Sequence, residues 1–138
     1  MGMKTISTVA ALAVAAFALS ATGPAIARTK QSPEAKLAKI LNGRVAGKPV
    51  HCIFLPSVRN TKVIDHTAIV YDAGSVIYVN RPDSGAKSLD DDDVMVTDLH
   101  SSSLCNIDVV KLHDRSSGFY NGFVGLGDFV PYRRLASN

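Results

Sequence analysis

Two neighbouring runs, Thr67-Ala68-Ile69-Val70-Tyr71 and Ser75-Val76-Ile77-Tyr78-Val79-Asn80, flank Asp72-Ala73-Gly74 and are apolar at almost every position. β-Branched and aromatic residues bounded by a turn containing glycine are the signature of a hairpin. A strand with one wet face alternates apolar and polar residues, and these strands do not, so both faces of the hairpin must be covered. In a short chain the available covers are a helix or the curling of the sheet itself. The expected fold class is therefore α+β and mostly β, with one N-terminal helix packed on a small antiparallel sheet or partial barrel.

The helix is legible just upstream. Ser32-Pro33-Glu34 supplies a cap, a proline at the first helical position and an acid in the first turn. Leu37, Ile40 and Leu41 form one apolar stripe, and Asn42-Gly43 provides a left-handed stop. At about ten residues such a helix is too short to persist alone in water, so its stripe must pack on the sheet. Beyond Val45 short β-type runs alternate with turn residues. Strands are expected over residues 94–97, 107–112 and 119–130, with turns at 72–74, 101–103 and 114–118, and Pro131 is expected to end pairing or to mark an edge. Tyr71, Tyr78, Phe119, Tyr120, Phe123, Phe129 and Tyr132 supply most of the bulk and are expected mainly in the core. Neither a repeat nor a linker divides the chain, which predicts one domain.

Residues 1–27 have the three parts of a secretory leader: Lys4, an apolar run over residues 9–19, and the small-residue ending Ala25-Ile26-Ala27. Cleavage after Ala27 would leave a β-rich exported domain of residues 28–138. The apolar run is shorter than the roughly 20 residues that span a bilayer, and Gly23-Pro24 interrupts it, so no permanent membrane anchor is expected. The expected destination is the periplasm or the extracellular space. An even count of two cysteines in an oxidising compartment predicts a Cys52–Cys105 disulfide, in preference to a reactive Cys52 thiol beside His51. Of the 15 basic residues only Lys4 lies in the leader, and the others nearly balance 12 acids and are scattered, which is no nucleic-acid footprint.

Signals for chemistry are sparse. The acidic run Asp90, Asp91, Asp92 and Asp93 offers carboxylates to a hard cation but lacks the alternating ligands and turn glycine of a calcium loop. It is expected to be a solvated turn leading into Val94, with a metal-responsive module as an alternative. Asp65-His66 could be half of an acid–base pair in a small hydrolase or transferase, yet no nucleophile elbow accompanies it. Gly122, Gly125 and Gly127 lead into a strand and Pro131, so they are expected to relieve crowding at bends rather than cradle phosphate. The histidines lack the spacing of a helical zinc motif. No cofactor and no catalytic residue is expected.

The skeleton Cys52-Ile53, Ile64-Asp65, Thr67-Ala68-Ile69-Val70-Tyr71, Tyr78-Val79-Asn80-Arg81-Pro82, Cys105, Ile107-Asp108 and Phe129-Val130-Pro131-Tyr132 resembles a set of short exported proteins of Gram-negative bacteria whose function is unknown. The likeness runs over residues 45–134 and implies an exported β-domain. It brings no activity with it. The expected function is a non-enzymatic binding module for an envelope protein, a glycan or a small ligand, with exposed aromatics near a sheet edge and Tyr78, Arg81, Tyr132 and Arg133 as candidate contacts.

Overall fold

The computed structural model describes residues 30–136; the expected leader lies outside them. One helix, α1 (Pro33–Ile40), precedes ten strands: β1 (Arg44–Ala46), β2 (Cys52–Phe54), β3 (Asn60–Ile64), β4 (Ala68–Asp72), β5 (Val76–Asn80), β6 (Asp93–Thr97), β7 (Ser103–Cys105), β8 (Val109–Asp114), β9 (Tyr120–Gly125) and β10 (Phe129–Arg134). They form a five-stranded sheet in the order β1-β10-β5-β4-β3, a three-stranded sheet β6-β8-β9 and a two-stranded ribbon β2-β7, all antiparallel.

The five-stranded sheet is the middle layer. Along β4, Ala68 and Val70 face a cluster with Leu37 of α1, Ile64, Ile77 and Val79, while Ile69 and Tyr71 face the opposite way. That second face meets Val110, Leu112 and Val124 of the three-stranded sheet and Ile53 and Leu104 of the ribbon. Each covering layer buries one apolar face, which is why β4 has four consecutive buried residues. Ser32 caps the helix as expected, its Oγ accepting the Ala35 N–H at 3.3 Å.

The ribbon strands have only three residues each, too few to hold by ladder bonds alone. Cys52 and Cys105 lie opposite one another in this ribbon and form the expected disulfide, with Cα atoms 4.0 Å apart. Closing a loop across a sequence separation of 53 stabilises the fold by about 4 kcal/mol on the chain-entropy model.

Three expectations need correction. Pro131 lies inside β10, between β1 and β5, rather than ending pairing. Its carbonyl accepts from Gly47 at 2.7 Å. The N–H and C=O of one residue share a side in an antiparallel ladder, so the missing donor faces the point where β1 has already stopped at Ala46. The strand expected from Ile107 starts instead at Val109. Asp108 closes a turn there by accepting the Cys105 N–H at 2.7 Å and donating its own to the Cys105 carbonyl at 3.0 Å, which leaves Ile107 exposed. The run 119–130 is broken in the middle, because the chain leaves the three-stranded sheet after Gly125 and enters the five-stranded one at Phe129.

That crossing is pinned by Asn80, which is fully buried. Its Nδ2 donates to the Gly127 carbonyl and its Oδ1 accepts the Gly127 N–H at 3.2 Å. Gly127 itself passes so near the Arg81 carbonyl that a Cβ would approach it to 2.5 Å, so this glycine serves close packing, as expected of a bend. Asn80→Ala would strand a buried amide and a buried carbonyl. It is expected to lower unfolding free energy by about 2–4 kcal/mol in urea titrations; a loss under about 1 kcal/mol would show that water replaces both bonds.

Candidate functional site

The three-stranded sheet is covered on one side only. Its inner face carries Met95, Val110, Leu112 and Val124, all packed in the main core. The ladder places Val94, His113 and Tyr120 in one outer row and Val96, Lys111 and Phe123 in the next, with Val109 further along β8. This alternation is written in β8, where Val109, Lys111 and His113 point out and Val110 and Leu112 point in.

The exposed face is strongly apolar: Phe123 is 52% exposed and Tyr120 58%, with Val94, Val96 and Val109 exposed beside them, and Phe119 is exposed in the turn before β9. Phe119, Tyr120 and Phe123 were expected in the core; of the seven aromatics only Tyr71 and Phe129 are fully buried. Several large apolar side chains gathered on one sheet face are the mark of a recognition surface. The polar company is local. The His113 ring meets Tyr120 edge to face at 5.8 Å between centroids, and Lys111 Nζ lies 2.6 Å from Asp98. Their hydrogen bond lowers the pKa of Asp98 and raises that of Lys111. The pair is solvent-exposed and fixes an orientation more than it stabilises the fold.

A register shift between Leu112 and His113 puts an extra residue, Asn121, into β9. Its Nδ2 donates to both oxygens of Asp93, at 3.2 and 3.0 Å. Upstream, Asp114 organises the turn that leads into Tyr120 and β9. Its Oδ1 accepts from the Ser116 hydroxyl at 2.6 Å, the Ser117 amide at 2.7 Å, the Ser117 hydroxyl at 2.8 Å and the Ser116 amide at 3.0 Å. These bonds, the Ser116 hydroxyl foremost, pull its pKa down from 3.8 to about 2.

The residues singled out from sequence are scattered. Tyr78 packs toward the main core, Tyr132 lies on the helix side of the same sheet, and Arg81 is held by Glu34 through bonds of 2.8 and 2.9 Å. Arg133 is exposed on β10 next to Tyr132, so these four do not converge on one surface. Asp65 takes Lys36 at 3.4 Å and the Asp91 N–H at 3.0 Å, whereas His66 Nδ1 contacts the Lys87 carbonyl at 2.7 Å, and the two make no hydrogen bond with each other. Of the four aspartates, Asp90, Asp91 and Asp92 form the expected exposed turn, and Asp93 departs from it by being buried against Asn121. Carboxylate oxygens of Asp65, Asp90 and Asp91 lie within 4.8 Å of one another. Asp65 and Asp90 already accept bonds inside that corner, Asp90 from the Asp92 N–H at 3.0 Å.

One histidine–carboxylate pair does form and was not read from sequence. His51 Nδ1 lies 2.8 Å from Asp128 Oδ1, which also accepts from Asn106 at 2.7 Å; His51 foremost, then Asn106, holds the Asp128 carboxyl below the usual range. The pair is exposed and flanks the disulfide, tying the ribbon to the crossing before β10. Residues 77 positions apart gave no sequence signal for it. No protein-family model matches the chain, and no curated protein or solved structure is detectably similar to it.

Asp114 carries an acid-sensitive contribution to the fold. Its folded pKa is depressed, so its stabilisation is present above the unfolded value of 3.8 and is lost as pH falls toward about 2. In thermal melts across that window Asp114→Asn should flatten the acid limb of the stability profile; an unchanged limb would contradict the turn's role.

Proposed function

We propose that this protein is an exported, non-enzymatic binding module that recognises another protein through the outer face of β6-β8-β9. The observation that carries the reading is the exposed apolar face built by Val94, Val96, Val109, Tyr120 and Phe123. Its mixture of valines and aromatics around one lysine suits the apolar centre of a protein interface better than a sugar platform, which needs more hydrogen-bonding groups around its rings. The disulfide supports the exported half of the proposal, since such bonds persist in oxidising compartments such as the periplasm. No helix among the described residues is long and apolar enough to cross a membrane. The separate hydrogen bonds of Asp65 and His66 lend less support to a hydrolase built on that pair.

A photo-crosslinking residue placed at Phe123 tests the proposal in the envelope fraction of a producing cell. The expected result is one discrete protein adduct, absent when the crosslinker replaces Lys48 and lost on Tyr120→Ser, with His66→Gln leaving it intact. Equal adducts from both positions, or none from position 123, would contradict the assignment.

A further inference from the structure

The two larger sheets each end in an uncovered strand, and the two ends face the same groove. β3 terminates the five-stranded sheet and β6 the three-stranded one, and among the described residues no strand pairs with the free side of either. Between them runs a groove of about 670 Å³ lined by Thr61, Lys62 and Val63 on one side and by Asp91, Asp92 and Met95 on the other, with Arg115 at its rim. Unpaired edges are normally shortened, covered or charged, because each presents a row of free backbone donors and acceptors. The remaining two ends obey that rule. β1 has three residues, and β9 is covered by the segment between β5 and β6, where Asp83 and Ser84 bond Gly125 and Gly85 packs on the Phe123 carbonyl. β3 and β6 have five residues each, and against that length they carry one charge apiece, Lys62 on β3 and the buried Asp93 at the start of β6, with no proline in either.

We infer that this groove accepts an extended peptide segment of a partner, which adds one strand between β3 and β6 and joins the two sheets. Its backbone would meet the two free edges, the mode of β-strand addition. Side chains alternate along the added strand. Inward residues meet Val63 and Met95, which belong to or pack on the main core, and must be apolar. Outward residues pass Lys62, which shares a sheet face with the helix-side Ile64 and Val70. Charge selects the end. The side chains of Asp91 and Asp92 form no salt bridge among the described residues, whereas Arg115 already donates to the Asp92 carbonyl at 3.1 Å. The segment that fits is apolar at alternate positions with a lysine or arginine at the terminus beside Asp91 and Asp92. This groove adjoins the outer face proposed above at Val94, but Tyr120 and Phe123 lie outside it, so either proposal can fail without the other.

The test uses the oxidised protein and an acetylated synthetic peptide of alternating valine and serine with a lysine at each end. Fluorescence polarisation gives affinity, and hydrogen exchange gives location. Saturable binding is expected, with new amide protection in both β3 and β6. Affinity should fall about tenfold or more when alternate peptide amides are methylated, when the lysines become glutamates, or in Asp91→Asn/Asp92→Asn, and should be unchanged in Phe123→Ser. Absence of saturable binding to millimolar peptide, indifference to amide methylation, or protection confined to the outer face around Phe123 would each overturn the inference.

Discussion

The structure depends on covering β4 and β5 from both sides. A sheet whose central strands are apolar on each face cannot rest in water, and about 25 cal/mol for each Å² of apolar surface left exposed sets the penalty. The chain answers with two dissimilar covers. On one side a two-turn helix supplies a single fully buried residue, Leu37, supported by Ile40 and Leu41. On the other, the three-stranded sheet, the ribbon and the crossing before β10 fold over it, contributing Ile53, Leu104, Val110, Leu112, Val124 and Leu126. The disulfide and the buried Asn80 hold that second cover in register with the first sheet, one at the ribbon and one at the crossing into β10.

The same economy leaves the second cover incomplete. A short chain has one helix to give, and it lies on the far side of the five-stranded sheet, so nothing in the described residues packs on the outer face of β6-β8-β9. The valines and aromatics there are exposed, and such an apolar patch raises aggregation risk on a face with no use. The sheets also fail to meet between β3 and β6, whereas the other end of the five-stranded sheet is the three-residue β1 and that of the three-stranded sheet is covered. Exposed valines and aromatics share the outer face of β6-β8-β9, while Val45, Phe54, Ile107 and Leu135 are exposed singly elsewhere.

Much of the architecture was legible in the sequence because it rests on local rules. Ser32-Pro33 announces the helix, the lack of alternation in residues 67–71 and 75–80 announces the doubly covered hairpin, and an even pair of cysteines announces its bond. The misses come from long-range register. Pro131 fits within a strand because β1 happens to stop at Ala46, a fact set by a partner 85 residues upstream in the chain. Tyr120 and Phe123 look like core residues in isolation; their exposure follows from which face of β9 the Asn121 bulge presents and from the lack, among the described residues, of a second helix, while Phe119 is exposed in the turn before β9. The Asp93–Asn121 and His51–Asp128 contacts join distant positions with no motif between them.

Native-state hydrogen exchange resolved by residue tests this arrangement most directly. Amides of Ile69, Val70, Tyr71, Ile77 and Val79 are expected to exchange only through global unfolding, because both faces of their strands are sealed. In β3 and β6, every second amide points away from the paired neighbour and should exchange at least about a hundredfold faster than its flanking residues. Uniformly slow exchange along β6, or fast exchange at Val70 through local loss of the helix, would contradict a middle sheet covered twice and a second sheet left open at its edge.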